Sequence, residues 1–147
     1  MHAFLLVEDD DAIVVAFRVA VEEAYIPVVV NHVSDGKQAI EYLCSIDQLP
    51  AVVFLDLKMP KAGGWEVLRV MREDERLRQI PALIFTSSAR RDDKERAYAL
   101  GAQHFITKPA SLAGLVAEIE SAYRRFVVGE PDQQPSPALA SHRARSR

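Results

Sequence analysis

The chain has almost no cysteine and no long hydrophobic run. Cys44 is the single cysteine among 147 residues, so neither an internal disulfide nor a multi-thiolate metal site can form. Every apolar stretch is far shorter than the ~20 residues of a membrane-spanning helix. The first apolar run, residues 3–7, stops at Glu8 and has no basic region before it, unlike an export signal. We therefore expect a soluble, cytoplasmic protein in which Cys44 packs as a small apolar core residue.

An excess of basic residues is also missing. Eighteen Lys and Arg against 21 Asp and Glu give a net charge of −3, whereas dedicated nucleic-acid binders are normally strongly basic. The length and the 49% apolar content are those of one globular domain. We place that domain at residues 1–128. Residues 129–147 contain three prolines and few apolar side chains, so we expect a flexible tail.

Short apolar runs alternate along the chain with helical patterns. Runs rich in β-branched and aromatic residues predict strands at residues 3–7, 28–33, 51–55, 82–86 and 104–107. Between and after them, apolar residues recur every three to four positions, which predicts five helices. This alternation indicates right-handed crossovers and a mostly parallel sheet with helices on both faces, an α/β fold.

Chemically active side chains follow or end four of the predicted strands. They are Glu8 and Asp9 after the first strand, Asp56 after the third, Thr86 at the end of the fourth and Lys108 after the fifth. Ligands of parallel α/β sheets bind at these carboxyl ends. Clustered carboxylates suit Mg²⁺, and an aspartate can attack phosphorus to form an aspartyl-phosphate. A hydroxyl and a lysine ammonium can then each bind one of the phosphoryl oxygens.

Simpler interpretations exist for each of these residues. Acids at residues 8–11 are favoured at a helix N-terminus, and we assign Asp10 or its successor to such a cap. Residues 86–88 could cap the helix expected near residue 92. Asp56 alone could be a turn residue, and Lys108 could be solvated. We favour a site because Asp56 closes an apolar strand beside a second acidic strand end, and Lys108 lies at a strand end before a proline.

Four segments resemble the receiver domains of two-component response regulators. They read LLVEDD at residues 5–10, VFLDLKMP at 53–60 with GGWEVL at 63–68, IFTSS at 84–88, and LGA through KP at 100–109. Their order and spacing match the family over about residues 3–128. Lys61 and the stretches at residues 74–81, 86–88 and 97–100 are most similar to the stand-alone regulators of phytochrome-type histidine kinases. The resemblance implies a CheY-like (flavodoxin-like) fold, with strand order 2-1-3-4-5 and five flanking helices.

The resemblance also implies a metal site and a phosphoacceptor. Asp56 would accept the phosphoryl group. Mg²⁺ would be held by Asp9 directly, by Glu8 mainly through water, by Asp56, and by the backbone carbonyl of Lys58.

Other positions receive switching roles from the same resemblance. Thr86 would be the switch hydroxyl, Lys108 would pair with the phosphoryl group, and the Lys108–Pro109 peptide bond would be cis. Phe105 occupies the aromatic switch position but lacks the hydroxyl of a tyrosine. Gly63 stands where the family usually has Asp, which predicts a looser loop after Asp56.

The function implied is that of a single-domain response regulator in a phosphorelay. It would accept a phosphoryl group from a histidine kinase or phosphotransfer protein and switch protein–protein contacts, with no direct nucleic-acid or membrane partner. It would assist its own phosphorylation and dephosphorylation without being a turnover enzyme. A homodimer through the fourth and fifth helices stays open. The alternatives are a phosphorylation-independent binding module and a catalyst on the same fold. A phosphatase with an aspartate nucleophile often has a second aspartate two residues further on, where this chain has Lys58. The chain also lacks a glycine-rich phosphate-binding loop, and both observations weigh against a catalyst.

Overall fold

Five parallel strands form the centre of the computed structural model, which describes residues 1–59 and 61–131. They are β1 (His2–Val7), β2 (Val28–Val33), β3 (Val52–Leu55), β4 (Ala82–Thr86) and β5 (His104–Thr107). Their order is β2-β1-β3-β4-β5, and every neighbouring pair is parallel. The predicted fold class and strand order are confirmed, and each strand begins and ends within one residue of its predicted bounds.

Five α-helices connect and follow the strands, as predicted. They are α1 (Asp11–Glu23), α2 (Gly36–Ser45), α3 (Gly64–Glu73), α4 (Arg91–Ala99) and α5 (Leu112–Tyr123). A 3₁₀ turn at Leu77–Gln79 precedes β4, and a π-helical turn at Arg124–Val128 extends α5. The apolar pattern of the last predicted helix runs on to Phe126, but segments this short have no hydrophobic period of their own, so the sequence does not show the 3₁₀ turn or the change to a π-helical turn.

Hydrophobic clusters cover both faces of the sheet, because successive side chains of a strand point to opposite faces. On one face, α1 and α5 pack against an aromatic group. Phe17 of α1 meets Phe54 of β3 edge to face, with ring centroids 4.9 Å apart. On the other face, α2, α3 and α4 pack against aliphatic side chains such as Leu5 and Leu55. This double cover explains why the central strands are apolar throughout.

The helix α4 contributes little to the core. Ala97 is its only buried residue, whereas α3 buries Val67, Leu68 and Met71 as well as its first glycine. Most other positions of α4 are charged and exposed. The face formed by α2, α3 and α4 is therefore anchored chiefly by the first two of these helices.

The loop after β3 has a left-handed segment. Lys61 and Ala62 have φ values of 50° and 60°, a region that costs a non-glycine residue on the order of 1–3 kcal/mol. The loop lies against the start of α2, where the Lys37 N–H donates to the Lys61 carbonyl at 3.0 Å. A Cβ at Gly36 would lie 1.6 Å from the Ala62 carbonyl oxygen, so this close approach requires glycine.

Three further expectations concern the periphery. The prediction that Cys44 is a core residue is wrong, because Cys44 is exposed. It follows the buried Leu43, and a rotation of 100° per residue turns it away from the sheet. Gly129, with φ 88°, caps the last helical turn, and most of the predicted tail lies outside the described residues. No helix in the described part of the chain could cross a membrane.

Candidate functional site

Three carboxylates converge at the carboxyl edge of the sheet. Glu8, Asp9 and Asp56 each offer an oxygen, and these oxygens all lie within 4.8 Å of one another. Glu8 and Asp56 are buried, while Asp9 is exposed. The paired strands β1 and β3 place Glu8 and Asp56 there, since Val7 lies opposite Leu55 and each of the two acids directly follows its strand. The sequence-based expectation of a carboxylate cluster is met.

The acidic residues at the start of α1 divide into two roles. The Asp10 side chain accepts a hydrogen bond from the Ala12 N–H at 2.9 Å and caps α1, as predicted. The Asp10 N–H in turn donates to Glu8 Oε1 at 3.2 Å. The cap therefore also orients one oxygen of the buried Glu8 carboxylate.

Lys108 joins the cluster from the end of β5. Its Nζ lies 2.8 Å from Glu8 Oε2 and 3.1 Å from Asp56 Oδ2. Burial raises the pKa of Glu8, and the hydrogen bond from Lys108 only partly offsets this. Burial by itself would lower the pKa of Lys108, but the hydrogen bond with Glu8 and the charge of Asp56 outweigh it and raise that pKa. The ammonium thus stays charged between two buried carboxyl groups.

The predicted cis bond before Pro109 is wrong for this structure. The described residues contain no cis peptide bond, so Lys108–Pro109 is trans. Even before proline the trans form is intrinsically favoured, by ~0.5–1 kcal/mol. With the trans bond, the Lys108 N–H donates to the Thr86 carbonyl at 2.7 Å, and its side chain still reaches both carboxylates.

The hydroxyl of Thr86 is buried without a hydrogen-bond partner in the described structure. Thr86 is fully buried at the end of β4, and its Oγ1 makes no hydrogen bond there. An unpaired buried polar group costs ~1–3 kcal/mol, so such a group in a native fold needs a reason. A hydroxyl that serves a ligand oxygen at the neighbouring site supplies one.

The phosphoacceptor candidate is held at both carboxylate oxygens. The Lys58 N–H donates to Asp56 Oδ1 at 3.3 Å, and Lys108 donates to Oδ2. The Lys58 side chain itself is exposed. A Cβ at Gly64 would lie 2.2 Å from the Asp56 carbonyl oxygen, so α3 can begin this close to the site only with glycine. Gly63 caps α3 without a side-chain hydrogen bond, where an Asp could have supplied one.

Phe105 lies inward on β5. It is buried in the cluster shared by α2, α3 and α4, and Lys94 of α4 places its Nζ 5.8 Å from the ring centroid. The aromatic switch candidate is thus in contact range of α4.

Sequence reasoning missed a histidine beside the site. His32 Nε2 lies 2.7 Å from the Glu8 carbonyl oxygen. The signal was available in principle, because β2 pairs with β1 and His32 lies opposite Leu6, two residues before Glu8. It could be used only once the register of the two strands was known.

The donor set fits a hard divalent cation. All the candidate donors are oxygens, and three carboxylates face one lysine, which leaves an excess of negative charge. Oxygen-rich sites of this kind suit Mg²⁺ and Mn²⁺. The cluster also lies between β1 and β3, where the chain order of the sheet reverses and where ligands of open α/β sheets bind.

Comparisons with known proteins agree with this geometry. Residues 4–120 match the family model described as the response regulator receiver domain. The chain is 35% identical over 138 residues, 91% of its length and 88% of the relative's, to a probable methanogenesis regulatory protein, FilR2, of Methanothrix harundinacea. It also resembles two solved structures, covering 91–92% of this chain and 100% of each neighbour. One is the phosphorylated cyanobacterial phytochrome response regulator RcpA, with a TM-score of 0.80 and 28% identity. The other is the Mn²⁺-bound form of response regulator Rcp1, with a TM-score of 0.76 and 26% identity.

Proposed function

The chain belongs to the response regulator receiver domain family of two-component signalling, and from this premise we propose that Asp56 accepts a phosphoryl group with the help of Mg²⁺. The resemblance to phytochrome response regulators expected from the sequence is confirmed. The observation that carries the proposal is the arrangement at Asp56. A buried carboxylate lies beside two further acids, and one lysine bridges it to Glu8.

Asp56 is suited to act as the nucleophile. A carboxylate oxygen of Asp56 would form a bond to phosphorus as the bond from phosphorus to the donor's histidine nitrogen breaks. Hydrogen bonds from Lys58 N–H and Lys108 Nζ hold the carboxylate in one orientation before the attack. Such positioning supplies much of the acceleration in phosphoryl transfer, because the transition state is stabilised chiefly by orientation and charge.

Glu8, Asp9, Asp56 and the Lys58 carbonyl would hold the Mg²⁺ ion. When bound, the ion neutralises charge on the phosphoryl oxygens. The Mn²⁺-bound form of Rcp1 supports a divalent ion in a relative of this kind. The Asp10 N–H orients the Glu8 carboxyl group, which lies on the buried side of this set of ligands.

Thr86 and Lys108 would receive the new charge. The Thr86 hydroxyl would donate a hydrogen bond to a phosphoryl oxygen and so gain the partner it lacks in the described structure. Lys108 would exchange part of its contact with Asp56 for the phosphoryl group. Movement of Thr86 and the loop after it would change the surface formed by α4, β5 and α5. The side chain of Phe105, on β5, would change position together with the loop.

The proposed partners follow from this chemistry. Receiver domains interact with histidine kinases or phosphotransfer proteins, and for this chain we propose a phytochrome-type histidine kinase as donor. The response is a change in protein–protein contacts, which includes a homodimer through α4 and α5. Each phosphoryl group taken up by Asp56 is held for a time and then lost, so the protein acts as a switch and not as a turnover enzyme. A cytoplasmic location stays a prediction.

Phosphotransfer labelling tests the proposal. We expect acetyl phosphate or a phosphorylated histidine kinase to label the protein in the presence of Mg²⁺. Label should be lost in Asp56→Asn and after chelation of the metal. Undiminished labelling of Asp56→Asn would contradict the assignment of the phosphoacceptor. A protein that neither binds Mg²⁺ nor takes label would instead be a phosphorylation-independent binding module.

A further inference from the structure

Three polar side chains outside the proposed site tie down the loop between β4 and α4. Ser88 Oγ donates to Asp93 Oδ2 at 2.5 Å and accepts from the Arg90 N–H at 3.2 Å. Thr107 Oγ1 donates to the Ser88 carbonyl at 3.0 Å. We call Ser88, Asp93 and Thr107 the loop latch. It connects one loop residue to the first turn of α4 and to the last residue of β5.

The latch lies next to the switch hydroxyl. Thr86 precedes Ser88 by two residues and is paired in register with Thr107 across β4 and β5. The Lys108 N–H also binds the Thr86 carbonyl, so the backbone of Thr86 is held by β5 from one side. A loop that carries the Thr86 hydroxyl toward a phosphoryl group on Asp56 must therefore move against contacts to Thr107 and Asp93.

We propose that Thr107 and Asp93 are positioning residues that hold this loop in its unphosphorylated arrangement and so set how readily phosphorylation switches the protein. The inference rests on the proposed function. The bond from Ser88 to the Asp93 carboxylate is charge-assisted and short, which makes it stronger than the bond from the Thr107 hydroxyl to the Ser88 carbonyl. Both bonds favour one state of a two-state loop, and each must be broken or exchanged when the loop moves.

The latch also explains how loop and helix move together. Asp93 lies in the first turn of α4, which is otherwise anchored by the single buried residue Ala97. A displacement of Ser88 is therefore transmitted through Asp93 to the start of α4, which is weakly packed. Thr107, being exposed, makes its bond at the surface and contributes no apolar packing to the core.

Binding of beryllofluoride, a phosphoryl mimic, in saturating Mg²⁺ tests the proposal. Trp65 is the only tryptophan, and the Arg96 guanidinium of α4 lies 4.1 Å from its ring centroid, so its fluorescence reports movement of α4 against α3. We expect Thr107→Val to bind the mimic roughly fivefold more tightly than the parent, the effect of one lost hydrogen bond in the resting state. Thr107→Ser, which keeps the hydroxyl, should match the parent.

A second pair of variants examines the other bond. Asp93→Ala should also tighten mimic binding, whereas Asp93→Asn keeps an acceptor for Ser88 and should lie between Asp93→Ala and the parent. Binding of Mg²⁺ alone should not change in any of the four variants, because the latch contributes no oxygen to the acidic cluster.

The outcomes separate this inference from the proposed function. Equal or weaker mimic binding by Thr107→Val, or the same gain in Thr107→Ser, would overturn the latch while leaving the function intact. A parent protein that fails to bind the mimic, or an Asp56→Asn variant that binds it equally well, would overturn both. A purely structural role would lower the unfolding midpoint of Thr107→Val without tightening its binding of the mimic.

Discussion

Replacing Thr86 by valine should make the unphosphorylated protein more stable. Valine has nearly the same shape as threonine and removes only the hydroxyl, which is fully buried and has no hydrogen-bond partner among the described residues. Removing an unpaired buried polar group recovers its desolvation cost, ~1–3 kcal/mol in the free energy of unfolding. For a chain of this length, each kcal/mol raises the melting temperature by about 2–4 °C.

Thr107→Val is the control for a general effect of replacing threonine by valine, because it should change the free energy of unfolding in the opposite direction. Thr107→Val removes from an exposed residue a hydroxyl that does make a hydrogen bond, so it should lower the free energy of unfolding by up to ~1 kcal/mol. Thr86→Ser keeps the unpaired hydroxyl and loses a buried methyl group, so it should also destabilise, by ~1 kcal/mol. Urea unfolding at equal ionic strength measures all three variants.

The same substitution at Thr86 should weaken the response to phosphorylation. The variant has no hydroxyl to offer a phosphoryl oxygen, so we expect weaker beryllofluoride binding and a smaller change in Trp65 fluorescence. The stability argument fails if Thr86→Val is destabilised by 1 kcal/mol or more, since that would mean that the hydroxyl has a partner in the resting protein. It also fails if Thr86→Val and Thr107→Val change stability in the same direction.

Two further substitutions examine the site and the loop beside it. Lys108→Met leaves the buried carboxyl groups of Glu8 and Asp56 without their cation, so we expect the free energy of unfolding to fall by ~3 kcal/mol in the absence of metal. Millimolar Mg²⁺ should restore part of the loss, and a loss that Mg²⁺ does not reduce would argue against a metal at these carboxylates. Gly36→Ala would place a methyl group 1.6 Å from the Ala62 carbonyl oxygen. We therefore expect the free energy of unfolding, measured in urea, to fall by ~1–3 kcal/mol and Mg²⁺ binding to weaken. Unchanged values for both would disprove the close approach.

Strand positions and the residues that follow strands could be read from the sequence because both are local properties. A run such as residues 52–55 is apolar throughout because both of its faces are covered, and the residue after it must then lie at the sheet edge. Parallel pairing brings such residues together, so Asp56 and Glu8 could be predicted as neighbours.

The loop latch and the contact of His32 could not be predicted in this way. The Thr107 bond of the latch and the His32 contact join side chains to backbone oxygens 19 and 24 residues away, and both exist only in one register of the paired strands. Lys61 and Ala62 adopt left-handed backbone because the loop packs against the start of α2, where the Lys37 N–H donates to the Lys61 carbonyl and Gly36 leaves room for the Ala62 carbonyl. These features depend on tertiary contacts that no local pattern encodes.

The sparse anchoring of α4 has a consequence for local stability. With Ala97 as its only buried residue, this helix gives up on the order of 1 kcal/mol of apolar burial from its own side chains when it leaves the sheet, far less than α3 would give up with three larger side chains. Amide protons of α4 should therefore exchange with solvent through a partial opening that leaves the rest of the fold closed. A helix held by so little burial of its own is the part of this fold that we expect to populate a displaced minor state before any signal arrives.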